Sequence, residues 1–403
     1  MKKHLIFKIV TIWFLITQSF PPYDYFVHMM GVIPLGLFVL STFVLFPSFL
    51  SKKTVIALFL YTLAVYFVFL RGNEYYDSIA RVIVPSLEML SALLITEYAF
   101  KYDTKFRYTK TVLVTVLITN LIMIGISIPQ LLINPNIIRG ASTFGAEEGE
   151  TMVYYWIISY ATIHGLPCLI APLVLLCRKS YHNNKKLIVY SFVTLALVFI
   201  IFKSNATTAL LITLMMLFLG LFFNIKKMTP KNCLKILGLL LAFGLVLSPT
   251  VMVSILDSAQ GYLDPQGSNY KKLDNIKDSY TYGDSDGDLG AREALYNQSK
   301  SLFFSEPLTG TSHSNLISMH TWFWDQLACM GFVLFSTFVL MFWYHVRMVN
   351  RSLSSTRAMY LWGIGAMLSM LYLKNSFGSG TWLYGFAILP VLCRFVDYEI
   401  KAK

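Results

Sequence analysis

The segment MHTWFWDQLACMG, residues 319–331, sets an imidazole at the last polar step before an apolar run and a carboxylate about a turn inside it. Histidine exchanges protons near neutral pH, which makes His320 a candidate general base. A carboxylate inside a hydrophobic span is costly, so Asp325 needs a protein partner or a polar ligand. Five residues turn an ideal helix through about 140°, so His320 and Asp325 are not bound to face each other. Asp325 is as well placed for a neighbouring helix or a bound sugar. His313, in the Gly/Ser turn just upstream, is a reserve imidazole, and Asp24 in PPYDYFVH is a further candidate acid.

A second set of candidates is cationic. Arg71, Arg139, Lys203 and Lys374 each stand at the end of an apolar run, Arg81 lies just inside the next run, and Arg292 falls in the long polar segment. All belong to the face that the charge pattern below marks as outer, where Lys and Arg are disfavoured. A cost repeated on the disfavoured side points to an anionic ligand there. Snorkelling to lipid phosphates is the alternative for each residue. It weighs least for Arg139, because NPNIIRGASTFG carries the Pro and Gly punctuation of a loop able to fold back. Trp322, Trp324, Trp382 and Tyr384 suit sugar stacking, but also an interfacial aromatic belt. Glu88, in mid-span, is expected to face the bundle interior with a hydrogen-bond partner. DSDGD, residues 284–288, resembles the start of a calcium loop, yet Leu289 and Leu295 stand where Gly and Glu are needed. It reads as a solvated turn, and no metal site is expected. The cysteines Cys168, Cys177, Cys233, Cys329 and Cys393 form no CxxC pair and indicate neither a disulfide framework nor a thiolate metal site.

The elements that must position these residues are membrane helices. The chain of 403 residues is 56% hydrophobic and only 13% charged, about half the charge of an ordinary soluble domain. Apolar windows long enough to cross a bilayer recur at 4–20, 29–50, 54–70, 79–97, 109–133, 152–177, 187–202, 206–223, 234–255, 320–344, 357–373 and 380–396. The expected fold is an all-α polytopic membrane protein of about 12 transmembrane helices. MKKHLIFKIVTIWFLITQSF reads as a retained first helix rather than a cleaved signal peptide. Most of the 33 basic residues cluster in alternate connections, among them Lys52/Lys53, Lys101–Lys110, Arg178–Lys186, Lys226–Lys235 and Arg347–Arg357. That alternation puts both termini in the cytoplasm and argues against a nucleic-acid partner for the +12 net charge. Helices 1–9 occupy 1–255. One large external loop, 256–319, follows between helices 9 and 10, and 320–403 holds helices 10–12 with a cytoplasmic tail. Within the loop, Arg292, Leu295/Tyr296, Ser299 and Leu302/Phe303 share one helical face. A short amphipathic helix is expected at about 289–304, with Asp288 near its N-cap.

Here the residues resemble a known family. The helix count, the late external loop, Arg292 opening an amphipathic helix, the EPLTGTSHSN turn and His320-Thr321 followed by Gly331 are similar to the Wzy-type polymerases of O-antigen and capsular repeat units, and to the related O-antigen ligases. RGASTFG from Arg139 resembles the Arg-Gly segment of these proteins. Two positions depart from the pattern: Lys203-Ser204 stands where relatives often have Ser-Arg, and Thr321 where Asn or Ser is commoner.

The resemblance implies a bacterial cytoplasmic-membrane glycosyltransferase whose site faces the periplasm or exterior. It would join undecaprenyl-pyrophosphate-linked oligosaccharide repeat units without cofactor, nucleotide or metal. His320 would serve as base, with Arg139 and Arg292 on the pyrophosphate. Lys203, Arg71, Arg81, Asp325, Trp324 and His313 would contact substrate. Membrane lipid, a flippase and a chain-length regulator are the partners it implies. Two rival readings stand beside it, transfer of finished polymer by a ligase and a 12-helix lipid-linked oligosaccharide flippase. The second would favour related halves and a polar path at mid-depth, whereas here charge gathers at one mouth.

Overall fold

The computed structural model describes residues 2–20, 32–76, 78–133, 137–138, 157–204, 206–222, 249–262, 265, 270, 273–274, 277–278, 288–311, 316–318, 320–374 and 379–401. Among these residues the fold is helical, with no strand. In chain order the helices are α1 (Lys2–Ser19), α2 (Val32–Leu45), α3 (Lys53–Leu70), α4 (Ile79–Tyr102), α5 (Arg107–Ile133), α6 (Tyr160–Gly165), α7 (Pro167–Lys179), α8 (Asn184–Lys203) and α9 (Thr207–Phe222). There follow α10 (Pro249–Gln260), α11 (Asp288–Ser305), α12 (Trp322–Ser352), α13 (Arg357–Leu373), α14 (Ser379–Trp382) and α15 (Leu389–Lys401). Five of them, α3, α4, α5, α8 and α12, are long and apolar enough to cross a membrane. Large apolar side chains point outward along them, with Phe59 61% and Leu195 67% exposed. A surface of that kind is stable only against lipid. The chain is an all-α membrane protein.

Local signals explain where the helices start. Ser78, Ser159 and Asn183 occupy N-cap positions and accept the backbone N–H groups of Arg81, Thr162 and Lys186. Asp103, just past the end of α4, answers the first N–H groups of α5 from a distance along the chain, accepting from Tyr108 N at 3.1 Å and Thr109 N at 2.7 Å. The apolar window expected at 152–177 is divided. Its described part is the short α6 followed by α7, which Pro167 opens, as suits a residue with no N–H to donate.

Between α14 and α15 the chain winds through a π-helical turn, Leu383–Ile388. Such a turn leaves carbonyls without their usual partners. Thr96 of α4 answers one of them, its hydroxyl donating to Phe386 O at 2.6 Å. Tyr384 in the same turn donates to Asn120 of α5 at 2.8 Å. The wide turn thus locks this segment to α4 and α5 by directional bonds where packing alone would leave it able to slide.

The structure corrects the reading of 320–344 as one straight span. Gly331, inside α12, has φ +64° and ψ 177°. Trp322 lies with its ring centroid 4.9 Å from Phe338 and 6.0 Å from Phe335. In a straight helix Trp322 and Phe338 would stand about 24 Å apart along the axis. The first part of α12, Trp322 to Met330, therefore folds back along the second. Residues 332–352 remain a helix of roughly 30 Å, enough for one crossing.

Candidate functional site

The fold-back at Gly331 requires partners for backbone groups that a continuous helix would pair internally. The turn after α11 supplies them. Pro307 O accepts from Phe332 N at 2.7 Å, Leu308 O accepts from Val333 N at 3.2 Å, and Thr311 N donates to Ala328 O at 2.8 Å. Two residues beyond the C-terminal end of α3 hold the other side of this turn. Arg71 donates to Thr309 O at 2.7 Å and Gly310 O at 3.0 Å, and Asn73 donates to Thr311 O at 3.1 Å. The approach is so close that only glycine fits on either side. A Cβ on Gly331 would sit 2.4 Å from Gly310 N, and one on Gly310 would sit 2.3 Å from Cys329 O. Gly310 itself has φ +76°, a conformation that costs other residues.

Asp325 anchors the other end of the folded-back segment. It is fully buried. Its Oδ1 accepts from the hydroxyls of Ser299 on α11 at 2.7 Å and Ser318 at 2.9 Å, and its Oδ2 accepts from Thr321 N at 3.2 Å. Ser299 Oγ in turn accepts from Ser318 N at 3.2 Å. Three donors satisfy a carboxylate that would otherwise be expensive to bury. Asp325 thus addresses a neighbouring helix, one of the directions its position left open, and ties α11 to the start of α12. Tyr296 adds a bond from α11 to Leu373 O of α13 at 2.7 Å. The buried face of α11 carries Ser299, with Leu302 and Phe303 packed on the core.

His320 sits immediately before this bracket. Its backbone N–H reaches Ser318 Oγ at 3.3 Å, and the residue is exposed. Its ring lies within electrostatic reach of the Asp325 carboxylate, with no hydrogen bond between them among the described contacts. Next to it, Thr321 donates to Tyr372 O at 2.8 Å. The segment bearing His320 is therefore held at both flanks while the imidazole remains open to solvent.

Beside the folded-back segment lies a cavity of about 350 Å³. Tyr61 of α3, Tyr75 and Tyr76 of the connecting turn, Arg81 of α4, and Trp322 and Gln326 of α12 line it. Tyr76 donates to Gln326 Oε1 at 2.5 Å, and its ring meets Tyr75 edge-on at 5.1 Å. Arg81 is exposed at the start of α4. The cavity thus offers aromatic walls, buried polar groups and one cation. Apolar walls with a few placed polar groups are the usual make-up of a small-ligand site.

The remaining candidates fall into two groups. Lys203 ends α8 with its ammonium 5.9 Å and 5.8 Å from the rings of Phe199 and Phe202 on its own helix. Trp324 has Lys300 over its ring at 5.5 Å and lies near Phe303 and Tyr372. Its Nε1 is buried without an acceptor among the described residues. Glu88 is half-buried and engaged. Arg139, His313, Asp24, Cys233 and residues 284–287 lie outside the described residues, as does the side chain of Arg292, whose backbone belongs to α11.

The sequence reading missed Asn73, Tyr75, Tyr76 and Gln326. The run RGNEYY directly after an apolar window, with an amide and paired tyrosines beside an arginine, was the available signal. Compared with known proteins, the chain matches no family model, no curated protein and no solved structure.

Proposed function

We propose that this protein is an outer-face membrane glycosyltransferase that polymerises polyprenyl-pyrophosphate-linked oligosaccharide repeat units into a surface polysaccharide. The observation that carries the reading is the folded-back segment of α12. It places Trp322 and Gln326 in the wall of the tyrosine-lined cavity, and it begins directly after the exposed His320 and the buried Thr321. The segment that follows His320 thus forms part of the wall of an aromatic cavity whose α4 side carries a cation, Arg81. The twelve-span topology, the cytoplasmic termini and a bacterial cytoplasmic membrane are parts of the same proposal.

In this mechanism the acceptor sugar hydroxyl gives its proton to the His320 imidazole. Its oxygen bonds to the anomeric carbon of the donor, and the bond from that carbon to the carrier pyrophosphate breaks. The pyrophosphate leaves with the electron pair. Arg81 at the cavity, with Arg139 and Arg292, carries the charge that builds there, since guanidinium groups bind phosphate oxygens in pairs. Arg71 has a different task. Its guanidinium is committed to the carbonyls of Thr309 and Gly310, so it positions the turn rather than contacting substrate. Asp325 acts likewise, through the Ser299 and Ser318 hydroxyls. The donor arrives already activated by its carrier, so the chemistry requires no nucleotide site.

The test is polymer formation from purified lipid-linked repeat units in reconstituted vesicles, with wild type compared to His320→Ala at equal insertion. Wild type should build chain ladders and release carrier pyrophosphate. The variant should lose about a hundredfold or more in rate, the usual contribution of a positioned base. Normal ladders from the variant would remove His320 as the base. A wild type that builds no ladder but moves finished polymer to another acceptor would be a ligase, and one that only translocates the lipid-linked unit a flippase.

A further inference from the structure

A second cavity, of about 460 Å³, lies at the far end of α3 and α12, between the start of the first and the last turns of the second. An α3 of this length separates it from Arg71 by about 27 Å. Its wall includes Lys52, Lys53, Glu97, Tyr344, Arg347 and Arg351. The one carboxylate is already answered, because Glu97 accepts from Thr54 at 3.2 Å and pairs with Lys52 at 3.4 Å. Lys53, Arg347 and Arg351 have no carboxylate partner among the described residues. Lys53 rests over the Tyr344 ring at 5.8 Å. Arg347 and Arg351 are one helical turn apart on the same face, a spacing at which like charges repel.

An independent feature points the same way. The N-cap of α3 is Lys52, whose side chain makes no capping bond. The first N–H groups of α3 and the positive end of its dipole are therefore left without an intrahelical partner beside this cavity. Uncapped helix N–H groups with converging guanidinium and ammonium groups form the usual surroundings of a bound phosphate. The helix surfaces around it are apolar and outward-facing. Ile56 and Phe59 on α3 are 49% and 61% exposed, and Trp343 on α12 is 57% exposed. Acyl chains lying on those surfaces would bring a headgroup to the cavity.

We propose that this cavity binds a phosphate group, that of an anionic phospholipid headgroup, with Arg347, Arg351, Lys53 and the α3 N-terminus as its ligands. The site shares no lining residue with the tyrosine-lined cavity and does not depend on the transfer reaction.

The experiment is native mass spectrometry of the delipidated full-length protein titrated with phosphatidylglycerol, phosphatidylcholine or inorganic phosphate. Wild type is compared with Arg347→Gln/Arg351→Gln, and with Lys105→Gln/Lys185→Gln as an equal charge change at exposed positions elsewhere. Phosphatidylglycerol binding should weaken at least about tenfold in the arginine variant alone, and phosphatidylcholine should bind weakly to all three. Lys53→Gln, which leaves α12 untouched, should weaken it in the same direction and guards against a folding defect in the double variant. Equal phosphatidylglycerol binding by wild type and the arginine variant would overturn the site. Inorganic phosphate binding as tightly as the lipid, with the same dependence on the arginines, would overturn the lipid as its source in favour of free phosphate.

Discussion

Asp325 shows how a carboxylate can sit fully buried in an apolar helix and still be stabilising: every oxygen has a donor, and the donors come from two stretches of chain, α11 and residues 318–321. A hydrogen bond to a charged group contributes about 1.5–3 kcal/mol. Asp325→Ala should therefore cost on the order of 3 kcal/mol or more and loosen α11 from α12. Asp325→Asn should cost less, because its oxygen still accepts and the serine hydroxyls can rotate towards its amide. Thermal unfolding in detergent, together with protease cutting within 288–305, measures both effects. Unchanged melting and an α11 no easier to cut would show that the bracket carries no weight. The residue types here were readable, but the direction of Asp325 was not. Helical spacing fixed only its rotation relative to His320, whereas its partners Ser299 and Ser318 lie on other elements whose positions spacing does not give.

At the scale of the element, the fold-back of α12 depends on backbone meeting backbone, and neither side can yield as a flexible side chain can. In Gly331→Ala the new Cβ would stand 2.4 Å from Gly310 N and 2.5 Å from the Leu308 carbonyl carbon, on a residue held at φ +64°. Strain and displacement of the turn together should cost on the order of 3 kcal/mol or more. Gly36→Ala inside α2, with nothing within 4 Å of its Cβ and no positive φ, should be neutral or slightly stabilising. Melting temperatures of the two variants decide the matter: equal values would mean that Gly331 is not the hinge. The helices themselves were legible from hydrophobic windows, and Arg357–Leu373 coincides with its window residue for residue. The break was not. An apolar run carries no mark of reversal, and the turn that completes the broken helix, 307–311, comes from well upstream in the sequence. On α11 the expected face of Arg292, Leu295/Tyr296, Ser299 and Leu302/Phe303 includes Ser299, which is buried, and Leu302 and Phe303, which pack on the core.

Across the whole molecule, two cavities lie at different depths along α3, one reaching from Tyr61 and Val65 to Tyr75 and Tyr76 and the other at its Lys53 start, and their chemistry differs. One end gathers tyrosines, a glutamine and the exposed His320; the other gathers Lys52, Lys53, Arg347 and Arg351. Basic residues concentrate on the cytoplasmic side of membrane proteins, so the second end should face the cytoplasm and the first the exterior. The charge pattern carries this expectation because it accumulates over many connections. The tyrosine cavity was not legible, because its wall is assembled from α3, α4 and α12 together. Single-cysteine labelling in intact cells tests the orientation. Leu308, 63% exposed beside Gly331, and Ser352, exposed at the far end of α12, are suited to the probe. Cys168, Cys329 and Cys393 are buried, and Cys177 half-buried, so a background with the native cysteines replaced removes their signal. Leu308→Cys should react with a membrane-impermeant maleimide from outside, and Ser352→Cys only after permeabilisation. Reversed labelling would turn the tyrosine cavity and His320 towards the cytoplasm. An outer-face transfer reaction could not then occur there, because its lipid-linked donor would be on the wrong side of the membrane.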